Sequence, residues 1–170
     1  TKECIERVFS SAKNFGGSLS DYTVWLLERS VKTLFIRVQA QNENAQQIAE
    51  FLDASDWVDH VFYPGLKTHP DHVLAKAQMH GFGGMLSFNL GAGVDSKKFL
   101  LSLELIKPTM SLAGVESTAL SPHLTSHSLL TEDERLEQGS EPQMIRFSTG
   151  IEAINDLKSD LLQGYKKAIK

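Results

Sequence analysis

The sequence predicts an α+β fold, a small antiparallel sheet with covering helices. Two observations predict it. Hydrophobic residues recur at helical spacing near both ends of the chain, and short runs with the two-residue period of a strand lie between them. Helices interleaved with short strands after a helical start favour a mainly antiparallel sheet that is covered on one face. The 170 residues, 41% of them hydrophobic, match the length and apolar content of about one domain.

The first part of the chain is predicted to be helical. Apolar residues recur at helical spacing over Lys2–Phe15, and the glycine pair 16–17 ends that pattern. Ser20 is a candidate cap for a long helix. Its apolar stripe consists of Leu27, Val31, Leu34 and Val38. A further helical pattern follows the polar residues 41–44, so the sequence allows two helices or one long bent helix.

Strand and helix patterns alternate after Trp57. Strands are predicted over 58–63, 84–90, 108–113 and 143–149, and helices over 71–79 and 96–105. Thr131 and Glu134 have the spacing of a capping box, which predicts a short helix. A C-terminal helix has an inner apolar face, formed by Ile154, Leu157, Leu161, Tyr165 and Ala168.

Charge and composition exclude several classes of partner. Lys and Arg total 17 against 21 for Asp and Glu, so the net charge of −4 lacks the basic excess of a nucleic-acid binder. No apolar run approaches the roughly 20 residues that cross a bilayer, so we expect no membrane partner. Cys4 is the only cysteine and cannot form an internal disulfide, which fits a reducing cytoplasm.

Two motifs that could suggest a ligand site are better explained by a structural role. The residues Gly81-Phe82-Gly83-Gly84 resemble a phosphate loop in composition, but they lack its Lys-Ser/Thr pair and precede a strand instead of following one. We expect a loop that needs positive φ or tight packing. His123 and His127 have a metal-ligand spacing, yet Pro122 favours a loop and no third ligand stands nearby, so no metal site is predicted.

Arg146 is the strongest candidate for chemistry from the residues alone. It lies within an apolar strand pattern. A guanidinium buried there without an anionic partner would carry an uncompensated free-energy cost of desolvation. Its planar fork suits a carboxylate, including that of an amino acid. The alternative is an arginine that reaches solvent or pairs with an acid of the chain. Ser111 precedes a small-residue turn that suits a ligand or an ordinary turn equally.

Five phrases, in order over nearly the whole chain, resemble the C-terminal part of a known family. The phrases are LLERSVKTL (26–34), YPGL (63–66), QMHGFGGMLSF (78–88), SLAGVES (111–117) and IRFSTGIE (145–152). The family is the pyridoxal-phosphate-dependent Cys/Met metabolism enzymes, which include cystathionine γ-synthase, cystathionine β- and γ-lyases and methionine γ-lyase. Ala113 and Ser30 depart from the family pattern, since both stand where it has glycine.

The resemblance implies the C-terminal domain of a fold-type I aminotransferase-like enzyme. Residues 1–18 would be the end of the large cofactor domain, and residues 19–170 would be the long connecting helix and the C-terminal substrate domain. The cofactor would be pyridoxal 5'-phosphate, with its covalent lysine and its other binding residues outside this chain. Lys2 is interpreted as a surface lysine.

The resemblance also implies roles for four residues. Arg146 would bind the substrate α-carboxylate, and Ser111 would act catalytically by orienting the cofactor lysine. Met110 would shape the pocket for the substrate side chain, and Ser126 would border the active site. No residue of the chain is expected to bind the cofactor or a metal.

The expected function is β- or γ-elimination on cystathionine or a related sulfur amino acid, by a cytoplasmic homotetramer. The resemblance leaves open the γ-replacement of cystathionine γ-synthase on an activated homoserine. A solitary non-catalytic binding or assembly domain is the second hypothesis. The 170 residues alone are expected to be inactive.

Overall fold

Hydroxyl side chains cap both helices of the N-terminal compact unit, Thr1–Phe35. The computed structural model describes residues 1–125, 131, 133–134 and 141–169. Helix α1 spans Lys2–Phe15, and the Thr1 hydroxyl accepts a hydrogen bond from the Cys4 N–H at 3.4 Å. Helix α2 spans Asp21–Val31, and the Ser20 hydroxyl accepts one from the Thr23 N–H at 3.3 Å. Both predicted helix starts are confirmed.

A turn at Lys32 and Thr33 follows α2, and α3 then spans Leu34–Asp53. The long helix predicted from Ser20 is therefore two helices. Residues 41–44, interpreted from the sequence as an interruption, lie inside α3. Their polar composition did not end the helix because α3 packs its apolar face into the core, and tertiary packing outweighs local propensity.

Five short strands form one sheet in the second compact unit, Ile36–Lys170. Its order is β1-β2-β5-β4-β3. The strands are β1 Val58–Phe62, β2 Met85–Leu90, β3 Lys107–Pro108, β4 Thr118–Leu120 and β5 Met144–Ser148. The strands predicted over 58–63, 84–90 and 143–149 are confirmed within one or two residues.

The sheet is mixed, which corrects the prediction of an antiparallel one. Three of the four strand pairs are antiparallel, whereas β3 and β4 are parallel. The loop 109–117 returns the chain before β4 starts, so both strands run in the same direction. The strand predicted over 108–113 is also wrong, because only Pro108 of it pairs. Proline has no N–H to donate, and Pro108 lies on the edge strand of the sheet, where proline is tolerated.

One face of the sheet carries the hydrophobic core. Alternate side chains of β2 and β5 are buried there, as the two-residue period predicts. They pack with α3, with α5 (Ser96–Ser102) and with α6 (Ile154–Ala168). The largest side chains of this core are Tyr63, Phe88, Phe99 and Phe147. Helix α4 spans His72–Gln78, somewhat shorter than the predicted 71–79.

A buried carboxylate fixes the segment that leads into β3. Asp160 on α6 is 6% exposed and accepts hydrogen bonds from three consecutive backbone N–H groups. The donors are Glu104 at 2.9 Å, Leu105 at 3.0 Å and Ile106 at 2.8 Å. Because charge-assisted hydrogen bonds are the stronger kind, this carboxylate determines the path of the chain toward the loop 109–117.

The structure describes the glycine-rich residues 81–84 completely, but only one histidine of the pair His123 and His127. Gly83 has φ 87° and Gly81 lies against the Asn42 side chain, so the prediction of a tight loop with positive φ is confirmed. Pro122 begins a single 3₁₀ turn that includes His123, whereas His127 lies outside the described residues. The described chain contains no cluster of three metal-ligating side chains, and none of its helices combines the length and apolarity of a membrane span.

The predicted capping box is present. The backbone N–H and the hydroxyl of Thr131 each donate to Glu134 Oε2 at 2.8 Å, and these hydrogen bonds lower the pKa of the Glu134 carboxyl.

Candidate functional site

Arg146 lies on a central strand and on the sheet face opposite the core. Its cross-strand neighbours are Ser87 on β2 and Leu120 on β4. Residues directly opposite one another in antiparallel strands point to the same face, so these three side chains share it with Ser148 and Thr118. We call this the site face, defined by Ser87, Thr118, Leu120, Arg146 and Ser148. Arg146 is half-buried there.

Among the described residues, the guanidinium of Arg146 has one hydrogen-bond partner. Its Nη2 donates to the Met110 carbonyl at 3.0 Å. Among the described residues the ion pairs are Lys2–Glu6, Lys32–Glu28 and Lys167–Glu104, and none of them includes Arg146. Since a guanidinium has five N–H donors, most of the donors of Arg146 are available to a ligand.

The structure brings three of the four predicted site residues together. Met110 is 63% exposed, and its carbonyl contacts Arg146, so Ser111 lies beside the same group. The Ser111 side chain is exposed, while its carbonyl accepts a hydrogen bond from Thr118 Oγ1 at 2.7 Å. The fourth residue, Ser126, lies outside the described residues.

The loop 109–117 is strained at Ala113. Its φ of 61° is in the left-handed region, where Ala113 is the only non-glycine residue in the described chain. A side chain with a Cβ is disfavoured in this region. The loop keeps this conformation because two polar side chains bind its backbone. The Ala113 N–H donates to Ser148 Oγ at 2.9 Å, and Gln41 Nε2 donates to the Gly114 carbonyl at 2.6 Å.

The end of the loop is fixed by the segment that follows β5. Glu152 accepts hydrogen bonds from the Ser117 N–H at 2.6 Å and from its hydroxyl at 2.8 Å. The same hydroxyl accepts one from the Gly150 N–H at 2.8 Å. Gly150 lies so close to the loop that a Cβ would collide with the Val115 carbonyl, so only glycine fits there.

Sequence reasoning missed three residues of this site: Gln41, Thr118 and Ser148. Gln41 did carry a recognisable signal. It occupies the buried face of α3 with Ala45, Ile48 and Leu52, and a polar residue on an apolar face needs a hydrogen-bond partner. Thr118 and Ser148 carried none, because their role depends on strand register.

A family model for "Cys/Met metabolism PLP-dependent enzyme" matches residues 1–166, nearly the whole chain. This chain belongs to that family. The match agrees with the resemblance that the five sequence phrases carry, and the family is dependent on pyridoxal phosphate.

Relatives within this family differ in the reaction that their names state. The chain is 40% identical over 167 residues to a cystathionine beta-lyase of Lactococcus lactis subsp. cremoris, covering 98% of this chain and 44% of the relative. It is 43% identical over 149 residues to the chloroplastic cystathionine gamma-synthase 1 of Arabidopsis thaliana, covering 87% of this chain and 26% of that protein. The chain therefore spans less than half the length of either relative.

A solved structure agrees with the described fold. The crystal structure of a cystathionine gamma-lyase from Lactobacillus plantarum, complexed with L-serine, aligns with a TM-score of 0.91 at 36% identity. The alignment covers 99% of this chain and 44% of that one. Because so much of this chain aligns, the mixed sheet and its helices follow the fold of that family member.

The described residues do not form a complete site for pyridoxal phosphate. Such a site needs a lysine amine for the covalent link and several donors for the phosphate. The described lysines are exposed apart from the half-buried Lys158, and none of them forms a hydrogen bond or an ion pair with Met110, Ser111 or Arg146. The guanidinium of Arg146, in contrast, has the chemistry that pairs with an anionic group such as a carboxylate.

Proposed function

We propose that this chain is the substrate-recognition part of a pyridoxal-phosphate-dependent transsulfuration enzyme. In this proposal it is the C-terminal domain of a fold-type I enzyme. Residues 1–18 end the large cofactor domain, and residues 19–170 form the connecting helix and the substrate domain. Membership of the Cys/Met metabolism family and the 44% coverage of the lyases support this assignment.

One observation carries the proposal: Arg146 is cationic, half-buried and without a carboxylate partner among the described residues. Partial burial removes part of the hydration of a charge, and an opposite charge or good hydrogen bonds compensate for that loss. A neutral carbonyl at 3.0 Å does this incompletely. The α-carboxylate of an amino acid would complete it through the two parallel hydrogen bonds that a guanidinium forms.

The residues beside Arg146 take complementary roles in this proposal. Bound at its carboxylate, the amino acid is held in one orientation, so that its Cα–H bond faces the reacting groups. Ser111 presents its exposed hydroxyl to the lysine of the cofactor domain. To Ser126, which lies outside the described residues, we assign the role of bordering the active site. Met110 lies where the substrate side chain would extend and contributes apolar surface.

The reaction we propose is β- or γ-elimination, which breaks a carbon–sulfur bond of cystathionine or a related sulfur amino acid. Met110 supports elimination because it offers no charge to the distal end of cystathionine. The alternative is γ-replacement on an activated homoserine, which the 43% identity to a gamma-synthase supports. Supplying each substrate and identifying the sulfur-containing product distinguishes the two. The intact enzyme is proposed to be a cytoplasmic homotetramer.

The proposal is tested by Arg146→Lys in the intact protein that carries this chain. Lysine keeps the charge but cannot form two parallel hydrogen bonds. We expect KM to rise and kcat/KM to fall about tenfold to hundredfold, as when hydrogen bonds to a charged group are lost. Arg7→Lys, at an exposed position on α1, is the matched control and should leave both constants unchanged. Equal kinetics for the two variants would refute the assignment of Arg146.

A further inference from the structure

We infer that the hydroxyls of Thr118 and Ser148 are positioning groups, which together hold the turn 111–113 against the site face. Neither hydroxyl is among the residues to which the proposed function gives a role. This inference rests on the proposed function, because the residues that the pair positions are Ser111 and Arg146.

The register of the sheet places the two hydroxyls side by side. Thr118 on β4 lies directly opposite Ser148 on β5, and both residues are buried, at 6% and 2% exposed. Each binds a backbone group of the same turn. Thr118 Oγ1 donates to the Ser111 carbonyl at 2.7 Å, and Ser148 Oγ accepts from the Ala113 N–H at 2.9 Å. The turn is therefore held at both of its ends.

The turn 111–113 needs such support because its residues do not favour the backbone conformation that they adopt there. Ala113 has φ 61°, which a residue with a Cβ adopts only when surrounding contacts impose it. The hydrogen bond to Ser148 acts at the N–H of this same residue. Without it, the turn would relax toward a negative φ and Ser111 would move with it.

The same turn is coupled to Arg146. Ser148 follows Arg146 by two residues on β5, so both side chains lie on one face of the strand. Met110, directly before Ser111, accepts the hydrogen bond from Arg146 Nη2. A shift of the turn would therefore displace the hydroxyl of Ser111 and the Met110 carbonyl that orients Arg146. The two buried hydroxyls act through these neighbours and need not touch the substrate.

Amide hydrogen exchange in the 170-residue chain tests the hydrogen bonds directly. We expect the Ala113 amide to be protected and Ser148→Ala to accelerate its exchange at least tenfold. Thr118→Val, which removes the hydroxyl at nearly constant shape, should accelerate it as well, and Thr118→Ser should restore the protection. Exchange at the strand amides of β2 serves as the measure of intact folding.

Matched controls remove hydroxyl groups that make the same kind of bond elsewhere. Thr125 Oγ1 donates to the Ser121 carbonyl at 2.8 Å, and Ser55 Oγ donates to the Phe51 carbonyl at 2.7 Å. Thr125→Val and Ser55→Ala should leave the exchange of the Ala113 amide unchanged. If a variant fails to fold, the unmodified chain still tests the inference. Unprotected hydrogen exchange at its Ala113 amide would overturn the inference.

Kinetics of the intact enzyme separate this inference from the proposed function. We expect Thr118→Val to lower kcat and to raise KM, each by about threefold to tenfold, and Thr118→Ser to return both constants to within twofold of the original. Normal kinetics for Thr118→Val and Ser148→Ala, beside impaired kinetics for Arg146→Lys, would overturn the positioning role alone. Normal kinetics for Arg146→Lys would instead overturn the proposed function.

Discussion

Residues that follow one another in β2 and β5 lie alternately on the core face and the site face of the sheet. These two faces are stabilised in different ways. Phe88 and Phe147 are fully buried on the core face. Phe88 packs edge-on against Phe99, with 6.3 Å between the ring centroids. Ser87 and Arg146, one residue before Phe88 and Phe147, lie on the site face and are only partly buried. The core face gains stability from apolar burial. The site face instead holds its shape through hydrogen bonds to a strained loop, and Arg146 on this face has no ionic partner within the described part of the chain.

The largest effect that this comparison predicts is at Phe88. Phe88→Ala leaves a cavity among large side chains and should lower the free energy of unfolding by about 3 to 5 kcal/mol. Ser87→Ala, at the adjacent residue on the opposite face, should change it by no more than about 0.5 kcal/mol, because no hydrogen bond or buried contact is lost. Urea denaturation of the two variants measures both values. Similar losses would show that the two faces do not differ in this way.

Tyr63 predicts a pH dependence of the core. Burial raises the pKa of its phenol from 10.0 to about 12, and its hydroxyl donates to the Gly83 carbonyl at 2.9 Å. A raised pKa means that the folded state favours the protonated form. The stability from this group is therefore complete below pH 10 and is lost as the pH rises from 10 to 12.

The expected loss is about 2 to 3 kcal/mol over that interval, from roughly 1.4 kcal/mol per pKa unit. The free energy of unfolding of the original chain and of Tyr63→Phe, measured from pH 9 to 12, isolates this contribution. The difference between the two proteins should shrink as the phenol ionises. A constant difference would mean that Tyr63 does not titrate as described.

The smallest effect is predicted at Ala113, and its sign is opposite. Ala113→Gly relieves the strain of a positive φ and should raise the free energy of unfolding by about 0.5 to 1 kcal/mol. Ala75→Gly, within helix α4, should lower it by about 1 kcal/mol. Thermal unfolding of the two variants shows whether each substitution raises or lowers stability. A loss of stability for Ala113→Gly would show that the conformation of Ala113 is not strained.

The sequence predicted the core face more fully than the site face, for a physical reason. Burial on one side of a strand or helix imposes a period, so β2, β5 and α6 could be located from their apolar residues. The short strands β3 and β4 have 2 and 3 residues, too few to show any period, and they were mispredicted or missed. The break between α2 and α3 falls within a continuous apolar stripe, which concealed it.

The site was predictable only where a residue conflicted with its surroundings or matched a family phrase. Arg146 conflicts with the apolar strand around it and also stands in the phrase IRFSTGIE. The phrase SLAGVES suggested Ser111 and the residue before it, Met110. The hydrogen bonds that support these residues join distant parts of the chain: Gln41 and Gly114 are 73 positions apart, and Ala113 and Ser148 are 35 apart. Contacts of this kind depend on strand register and helix packing, which local periodicity does not specify.

The most direct test of the central claim, that Arg146 binds the substrate α-carboxylate, is a double-mutant cycle between enzyme and substrate. It compares kcat/KM for a sulfur amino acid and for its α-carboxamide, in the intact enzyme and in Arg146→Lys. If the two groups bind each other, removing the carboxylate should cost about tenfold to hundredfold in the original enzyme and much less in the variant, since the interaction is already impaired. Equal losses in both enzymes would contradict the claim.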